Sequence, residues 1–365
     1  MKPIKNVKSS PDIIVFLIVM ILIGIGLVMV YSASAVQEGF RYLNRQLMWS
    51  AVGITAMIFF MNFNYQRYRR LTGWLLIGSI ACLILVLVPG IGIVVNGSRR
   101  WLGFGPLRFQ PSEIAKFALI LFLAHYMAIR ADRLRTRVVS IIPPLIISGI
   151  VCVLILIEDL GTAVALGGTV FLMLFSVGVH YAVLTGLICM GIPGVLYFIF
   201  SDQYSYRKKR ILAFLNPWAD PLGSGYHIIQ SLMALGSGGI FGVGLGHSRQ
   251  KFYYLPEPNT DFIFAVIGEE LGFIGTGLIV LLFIGLAWRG FQIALKCEDL
   301  FGSLLAVGLT CMIVLQAMIN IAVVSGAMPV TGITLPFISY GGSSLCIMLS
   351  AVGILLNISR QVEDL

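Results

Sequence analysis

Leu300-Phe-Gly-Ser-Leu-Leu-Ala-Val-Gly-Leu-Thr-Cys-Met-Ile-Val-Leu (300–315) opens a run that reaches Ser359 without one Asp, Glu, Lys or Arg, 60 residues in all. One helical crossing of a bilayer takes about 20 apolar residues, so this run holds two, joined by the uncharged stretch 329–344. Two further uncharged runs repeat the pattern, 18 residues from Ile13 to Val30 and 20 from Val138 to Ile157. Of 365 residues, 58% are hydrophobic and 11% charged, against about 25% charged in an average soluble domain. The fold class that follows is an all-α polytopic membrane protein, and a water-soluble fold is excluded. The formal charge of +9 does not argue for nucleic acid, because most basic residues fall in short loops, where they set topology.

Working outward from that run, charges and turn residues predict about ten transmembrane helices. They fall at 12–35, 46–62, 71–90, 111–129, 138–157, 160–179, 181–201, 260–288, 300–325 and 336–359, in a single domain over 1–365. The span at 260–288 exceeds what the bilayer requires and is expected to tilt or protrude. Ala33-Ser34-Ala35 resembles a cleavage site, but the run before it is too long for a signal peptide, so it reads as an uncleaved first helix. Cys82, Cys152, Cys189, Cys297, Cys311 and Cys346 are scattered, with neither a Cys-x-x-Cys pair nor a histidine at ligand spacing, which argues against a disulfide framework or a zinc site.

An even number of spans puts both termini on one side. Thirteen basic residues, from Lys2, Lys5 and Lys8 through Arg67–Arg70 and Arg130–Arg137 to Arg289, Lys296 and Arg360, mark it as cytoplasmic. Twelve remain opposite, six of them in the 57-residue segment 202–258, a large extracytoplasmic loop of the kind that counts little in the rule. The outer excess suits an anionic ligand such as a lipid phosphate, and equally a basic surface resting on headgroups. Within the loop, Tyr206-Arg-Lys-Lys-Arg followed by Ile211-Leu-Ala-Phe-Leu predicts an interfacial helix. The six glycines of 236–246 read as scaffold for close backbone approach.

Ionisable residues at membrane depth are costly, so the few present are candidate sites. Gln110-Pro-Ser-Glu-Ile-Ala-Lys opens the fourth span, with Glu113 and Lys116 on one helix face. They are either a structural ion pair, or a phosphate ligand and its orienter at a positive helix end. Tyr254-Leu-Pro-Glu-Pro-Asn-Thr-Asp (254–261) runs into the eighth span. Asp261, beside Phe262 and Phe264, is either a dipole partner for that helix or a carboxylate raised toward a general base's range. Glu269 and Glu270 are expected to lie about 12–14 Å deeper, paired with another span's polar group. The stretch 329–344, rich in Pro, Gly and hydroxyls, reads as irregular backbone facing a polar cavity or as small residues that let helices pack closely.

With these residues in view, the chain resembles the SEDS family (shape, elongation, division and sporulation) nearly end to end. The resemblance rests on Val30-Tyr-Ser-Ala-Ser, Arg45-Gln, Asn96-Gly-Ser-Arg-Arg-Trp, Gln110-Pro-Ser-Glu, Asn216-Pro-Trp, Gly242-Val-Gly-Leu-Gly, Leu255-Pro-Glu-Pro-Asn-Thr-Asp-Phe and the 329–344 stretch. Tyr31-Ser-Ala-Ser-Ala and Ser248-Arg-Gln-Lys lean toward its division and sporulation branch. One departure stands out: Ile157-Glu158 replaces the usual Gln-Pro before Asp159-Leu-Gly-Thr.

The resemblance implies a peptidoglycan glycosyltransferase of the bacterial cytoplasmic membrane that polymerises lipid II on the outer face. Its implied partners are lipid II and the growing glycan strand, membrane lipid, a class B penicillin-binding protein and other division or sporulation-septum proteins. It implies Asp261 as the catalytic general base and Arg45, Arg99, Arg100 and Lys116 as cations for the leaving pyrophosphate. Glu113, Glu257, Ser339 and Ser343 join these as candidate substrate-binding residues. A divalent cation, Mg or Mn, is an expected aid, with Asp261 or Glu113 as ligands and no organic cofactor. The competing readings are a lipid II flippase or other transporter, and a non-catalytic scaffold for a synthase.

Overall fold

The computed structural model describes residues 10–35, 40–95, 98–104, 107–200, 205–252 and 254–362. Helix α1 (Ile13–Ser34) begins where Asp12 Oδ1 accepts the Val15 N–H at 3.0 Å, filling one of the donors a helix start leaves open. Asp12 Oδ2 also lies 2.7 Å from Arg289, and Asp12 N–H donates to Ser359. Nearby, Arg69 in the turn after α2 (Phe40–Asn62) sits 2.6 Å from Asp299, the cap of α11 (Leu300–Val324). One end of the bundle is therefore closed by a polar layer. The basic residues in it are among those assigned to the cytoplasmic side.

The other helices are α3 (Thr72–Leu87), α4 (Pro111–Thr136), α5 (Ile142–Glu158), α6 (Leu160–Val177), α7 (Tyr181–Phe200), α8 (Ser205–Leu215), α9 (Tyr226–Gly238), α10 (Ile263–Lys296) and α12 (Gly342–Ser359). Among the described residues, seven helices are long and apolar enough to cross a membrane; α2, α3 and α7 coincide with the other three expected spans. The core runs between α4, α11 and α12, whose Leu119, Leu305, Ile313 and Leu355 have no exposure. Glycine lets elements meet: Gly342 lies against the Trp49 ring, with no room for a Cβ between them.

Three features depart from the expectations. Helix α4 extends seven residues past the predicted end at 129, because it bends at Arg130 (φ −118°, ψ 21°) while Arg130 stacks over Tyr126 at 4.4 Å. Between α3 and α4 the chain forms a small antiparallel sheet, β1 (Ile93–Val95), β2 (Ser98–Phe104) and β3 (Leu107–Phe109), in order β1-β2-β3, an addition to an otherwise helical fold. Asn96 and Gly97 of the quoted motif lie outside the described residues.

The third departure is in α10, which is broken at Gly272 (φ 66°, ψ −163°). The glycine segment supplies what the break leaves open. Val243 and Gly244 N–H donate to the Glu269 and Glu270 carbonyls at 3.0 and 3.1 Å, and Phe273 and Ile274 N–H donate to the Gly239 and Ile240 carbonyls. Backbone at membrane depth must be paired within the protein, and here it is. The predicted depth of Glu269 and Glu270 is corrected accordingly. Asp261, before the short arm 263–271, meets Asn320 near the end of α11, whereas Glu270 meets Ser32 near the end of α1. Both helix ends lie on the same side, so the arm runs across the bundle. The two acids are fully engaged: Glu270 with Ser32 at 2.7 Å and Lys251 at 3.1 Å, and Glu269 with Ser248 Oγ and Arg249 N–H.

Candidate active site

Asp261 occupies the turn leading into the short arm of α10 and is held there through its main chain. Its carbonyl accepts Asn320 Nδ2 at 2.8 Å, and the same amide donates to the Ile333 carbonyl at 2.7 Å. The neighbouring Thr260 carbonyl accepts the Ser339 hydroxyl at 2.7 Å, and Tyr340 N–H donates to the Asn259 carbonyl at 2.9 Å. Behind the turn, Glu257 takes a left-handed conformation (φ 51°) so that its carbonyl can receive Thr260 N–H at 3.3 Å. Loop 329–344 and α11 thus fix the backbone of Asp261, and its carboxylate is left half-buried.

Two guanidinium groups approach that carboxylate. Arg100, on β2, puts Nε and Nη2 on the Glu158 carbonyl at 3.0 and 2.7 Å, and its Nη1 lies 3.3 Å from Asp159 Oδ2. Nη1 and Asp261 Oδ2 each lie 3.6 Å from where a Cβ on Gly332 would stand. Arg210, at the fourth basic position of the run on α8, donates to the Val330 carbonyl at 2.8 Å. Burial pushes the Asp261 carboxyl up to about 6, with Glu257 and Asp159 adding to the rise and Arg100 and Arg210 opposing it. Burial also lowers Arg210 to about 10, with Arg100 the next cause, which still leaves it a cation at neutral pH. His227 on α9 stacks on Phe262 at 5.7 Å; burial, then Arg210, lowers its pKa.

One helical turn along α11 from Asn320, Gln316 accepts Lys116 Nζ at 2.8 Å and donates to the Thr334 carbonyl at 3.2 Å. Lys116 is also 2.8 Å from Glu113, which accepts the Ser344 hydroxyl at 3.2 Å. Both members of the pair are buried. They form a polar floor adjoining Asp261, joined to its turn through α11. Beside Arg100, an open cleft of about 280 Å³ lies between α3, α4 and α5, with Gln110, Ser112 and Asp159 in its wall.

Of the residues singled out from the sequence, Asp261, Arg100 and Glu257 come together. Arg99 donates its amide to Glu158 at 2.8 Å and turns its side chain back to the Leu87 carbonyl. Arg45 is exposed on α2; its neighbour Gln46 reaches the Ser339 carbonyl at 3.3 Å. The Ser339 hydroxyl accepts Leu335 N–H while donating to the Thr260 carbonyl, so it braces the two loops. Ser343 Oγ is buried without a hydrogen-bond partner. Of the two carboxylates named as metal ligands, Glu113 is engaged by Lys116 and Ser344, whereas Asp261 is half-buried; no cluster of three Asp, Glu, His or Cys forms among the described residues. Sequence reading missed Arg210, Asp159, Asn320 and Gln316 as members of the site. A signal was present for two of them, the basic run at 206–210 and the Asp159-Leu-Gly-Thr motif.

Comparison with known proteins gives the same frame. The family described as cell cycle protein, FtsW/RodA/SpoVE, matches residues 12–364. Stage V sporulation protein E of Bacillus subtilis (strain 168) is 50% identical over 360 residues, covering 97% of this chain and 98% of that protein. The "Probable peptidoglycan glycosyltransferase FtsW" of Geobacter metallireducens is 42% identical, covering 96% and 95%. Among solved structures, one described as "Structural coordination of polymerization and crosslinking by a peptidoglycan synthase complex" superposes with a TM-score of 0.81 at 32% identity over 96% of this chain and 98% of its own. The rod shape determining protein RodA of Thermus thermophilus superposes with a TM-score of 0.73 at 30% identity over 96% and 97%.

Proposed function

Because the chain belongs to the FtsW/RodA/SpoVE family of cell cycle proteins, we propose that it is a membrane peptidoglycan glycosyltransferase that joins lipid II units into β-1,4-linked glycan on the outer face of the cytoplasmic membrane. Ten spans, cytoplasmic termini and a single domain complete the reading. The observation that carries it is Asp261, a half-buried carboxylate fixed by its backbone and faced by two guanidinium groups.

The chemistry follows from that arrangement. The 4-hydroxyl oxygen of the acceptor N-acetylglucosamine attacks C1 of the donor N-acetylmuramic acid, and Asp261 takes the hydroxyl proton. The new bond is C1–O4, the broken bond joins C1 to the pyrophosphate oxygen, and inversion turns the α linkage into β. Undecaprenyl pyrophosphate leaves with the bonding electrons. Arg100 and Arg210 stand on the carboxylate's side of the site, set before the reaction begins, where they offset that growing charge. A base raised to about 6 is mostly ionised at neutral pH, yet basic enough to accept a proton in the transition state. Lys116, already neutralised by Glu113, supports the floor. A divalent cation, where one assists, would be held by Asp261, and no step is routed through it. A class B penicillin-binding protein is the proposed partner, cross-linking the glycan as it emerges.

The test is polymerisation of purified lipid II by the detergent-purified protein, alone and with its penicillin-binding partner, for wild type and Asp261→Asn. Glycan from the wild type alone is expected. Equal yield from both removes Asp261 as base. No glycan from either, with a folded complex and divalent metal present, moves the reading to a flippase or a scaffold.

A further inference from the structure

Glu158 ends α5, one residue before Asp159, whose carboxylate caps α6 at Thr162 N–H (3.0 Å). Both halves of Glu158 act on strand β2. Its Oε2 accepts Arg99 N–H at 2.8 Å, and its carbonyl accepts Arg100 Nε and Nη2 at 3.0 and 2.7 Å. The remaining guanidinium nitrogen of Arg100, Nη1, then lies 3.3 Å from Asp159 and beside Gly332, on which Asp261 Oδ2 also converges. From Ser98 to Trp101, β2 is paired on one edge only, with β1; β3 joins from Leu102 onward. Arg99 N–H thus has no strand to meet on the side of the α5–α6 corner, and the Glu158 carboxylate receives it.

Successive residues of a strand present their side chains to opposite faces. Holding the Arg99 amide therefore fixes which way Arg100 leaves the strand. We infer that Glu158 is a positioning residue for the reaction, anchoring β2 at Arg99 so that Arg100 pairs with Asp159 and holds its charge beside Asp261. The inference rests on the polymerase reading above. Proline, usual at this position in the resemblance described earlier, keeps the carbonyl that Arg100 grips but has no carboxylate. The second hold is a property of this chain's own residue.

The experiment compares wild type, Glu158→Ala and Glu158→Gln as folded, purified protein in lipid II polymerisation across pH, with hydrogen exchange read at residues 98–101. Glu158→Ala is expected to lose about tenfold in kcat, in line with the usual effect of loosening a residue that orients a reacting group, with KM for lipid II little changed. Its acid limb moves to higher pH, because Arg100 no longer opposes protonation of Asp261 beside Glu257, Asp159 and Arg210, and the strand exchanges faster. Glu158→Gln, whose amide oxygen accepts the same bond, restores all three. Wild-type turnover in Glu158→Ala overturns the inference. So does a loss with an unmoved acid limb, which marks a role in folding alone, or a failure of Gln to rescue. A wild type that makes no glycan overturns the polymerase reading instead, and the exchange comparison then still decides whether Glu158 anchors the strand.

Discussion

Arg100 Nη1 and Asp261 Oδ2 converge on Gly332: a Cβ on that glycine would lie 3.6 Å from each. Gly332 also has φ +83°, a backbone conformation that side-chain-bearing residues rarely adopt, so glycine suits the place where the two groups converge. Gly332→Ala is expected to cost about 1–2 kcal/mol of stability from its left-handed backbone. The added methyl would stand in ordinary contact with both groups, so turnover per folded protein should change little beyond what the strained backbone imposes. Thermal melting in detergent and polymerisation rate per folded protein check the two effects separately.

The pH dependence follows from the same carboxylate. Asp261 works as a base only when ionised, and it is raised to about 6, so the rate should climb with pH through that region and level off above it. Burial leads the rise and the Glu257 charge comes next. Glu257→Gln should therefore move the acid limb down in pH, and Arg210→Gln should move it up. A pH–rate profile in which either substitution leaves the limb in place contradicts the assignment of Asp261 as the titrating group.

The floor of the site predicts non-additive behaviour. Lys116 and Glu113 form a buried pair at 2.8 Å, and removing one member of such a pair strands the other charge at a cost of roughly 3–5 kcal/mol. Lys116→Met alone should lower the melting temperature markedly. Lys116→Met with Glu113→Gln should recover most of the loss, which melting curves of the single and double variants measure.

At the break in α10, Gly272→Ala should be among the most destabilising substitutions in the chain. A Cβ there would strike Gly242 N and the Ile240 carbonyl, and φ 66° with ψ −163° is a region that side-chain-bearing residues occupy at a cost of about 1–3 kcal/mol. The yield and melting temperature of the purified variant test this.

The fold class and the unusual setting of Asp261 were legible in the sequence for different reasons. Long uncharged runs can only be buried in lipid, and an acid beside two phenylalanines at a span mouth is costly without a task. The sheet was not legible, because β1 and β3 have three residues each, too few to show an alternating pattern. Gly272 looked like any tolerated helical glycine; its meaning depends on carbonyls and amides at 239–244, remote in sequence. Arg210 belonged to a basic run already noticed, but only tertiary packing shows that this residue turns toward Asp261 and Asp159. Ser339 has a bracing role that its sequence context did not announce. A hydroxyl in a glycine-rich stretch invites a ligand, whereas here it ties two loops together.

The exchange of backbone bonds between 239–244 and 269–274 also bears on how the molecule is made. The glycine segment leaves the ribosome before α10 does, and in the topology proposed above it has crossed the membrane by the time the long arm from Phe273 onward enters the insertion machinery. The short arm thus docks onto a strip of chain already waiting outside, and the turn at Asp261 is completed later still, when Asn320 and the 329–344 stretch, translated after α10, reach its backbone. Synthesis order and vectorial insertion together keep the reactive carboxylate unassembled until the protein is in its final membrane.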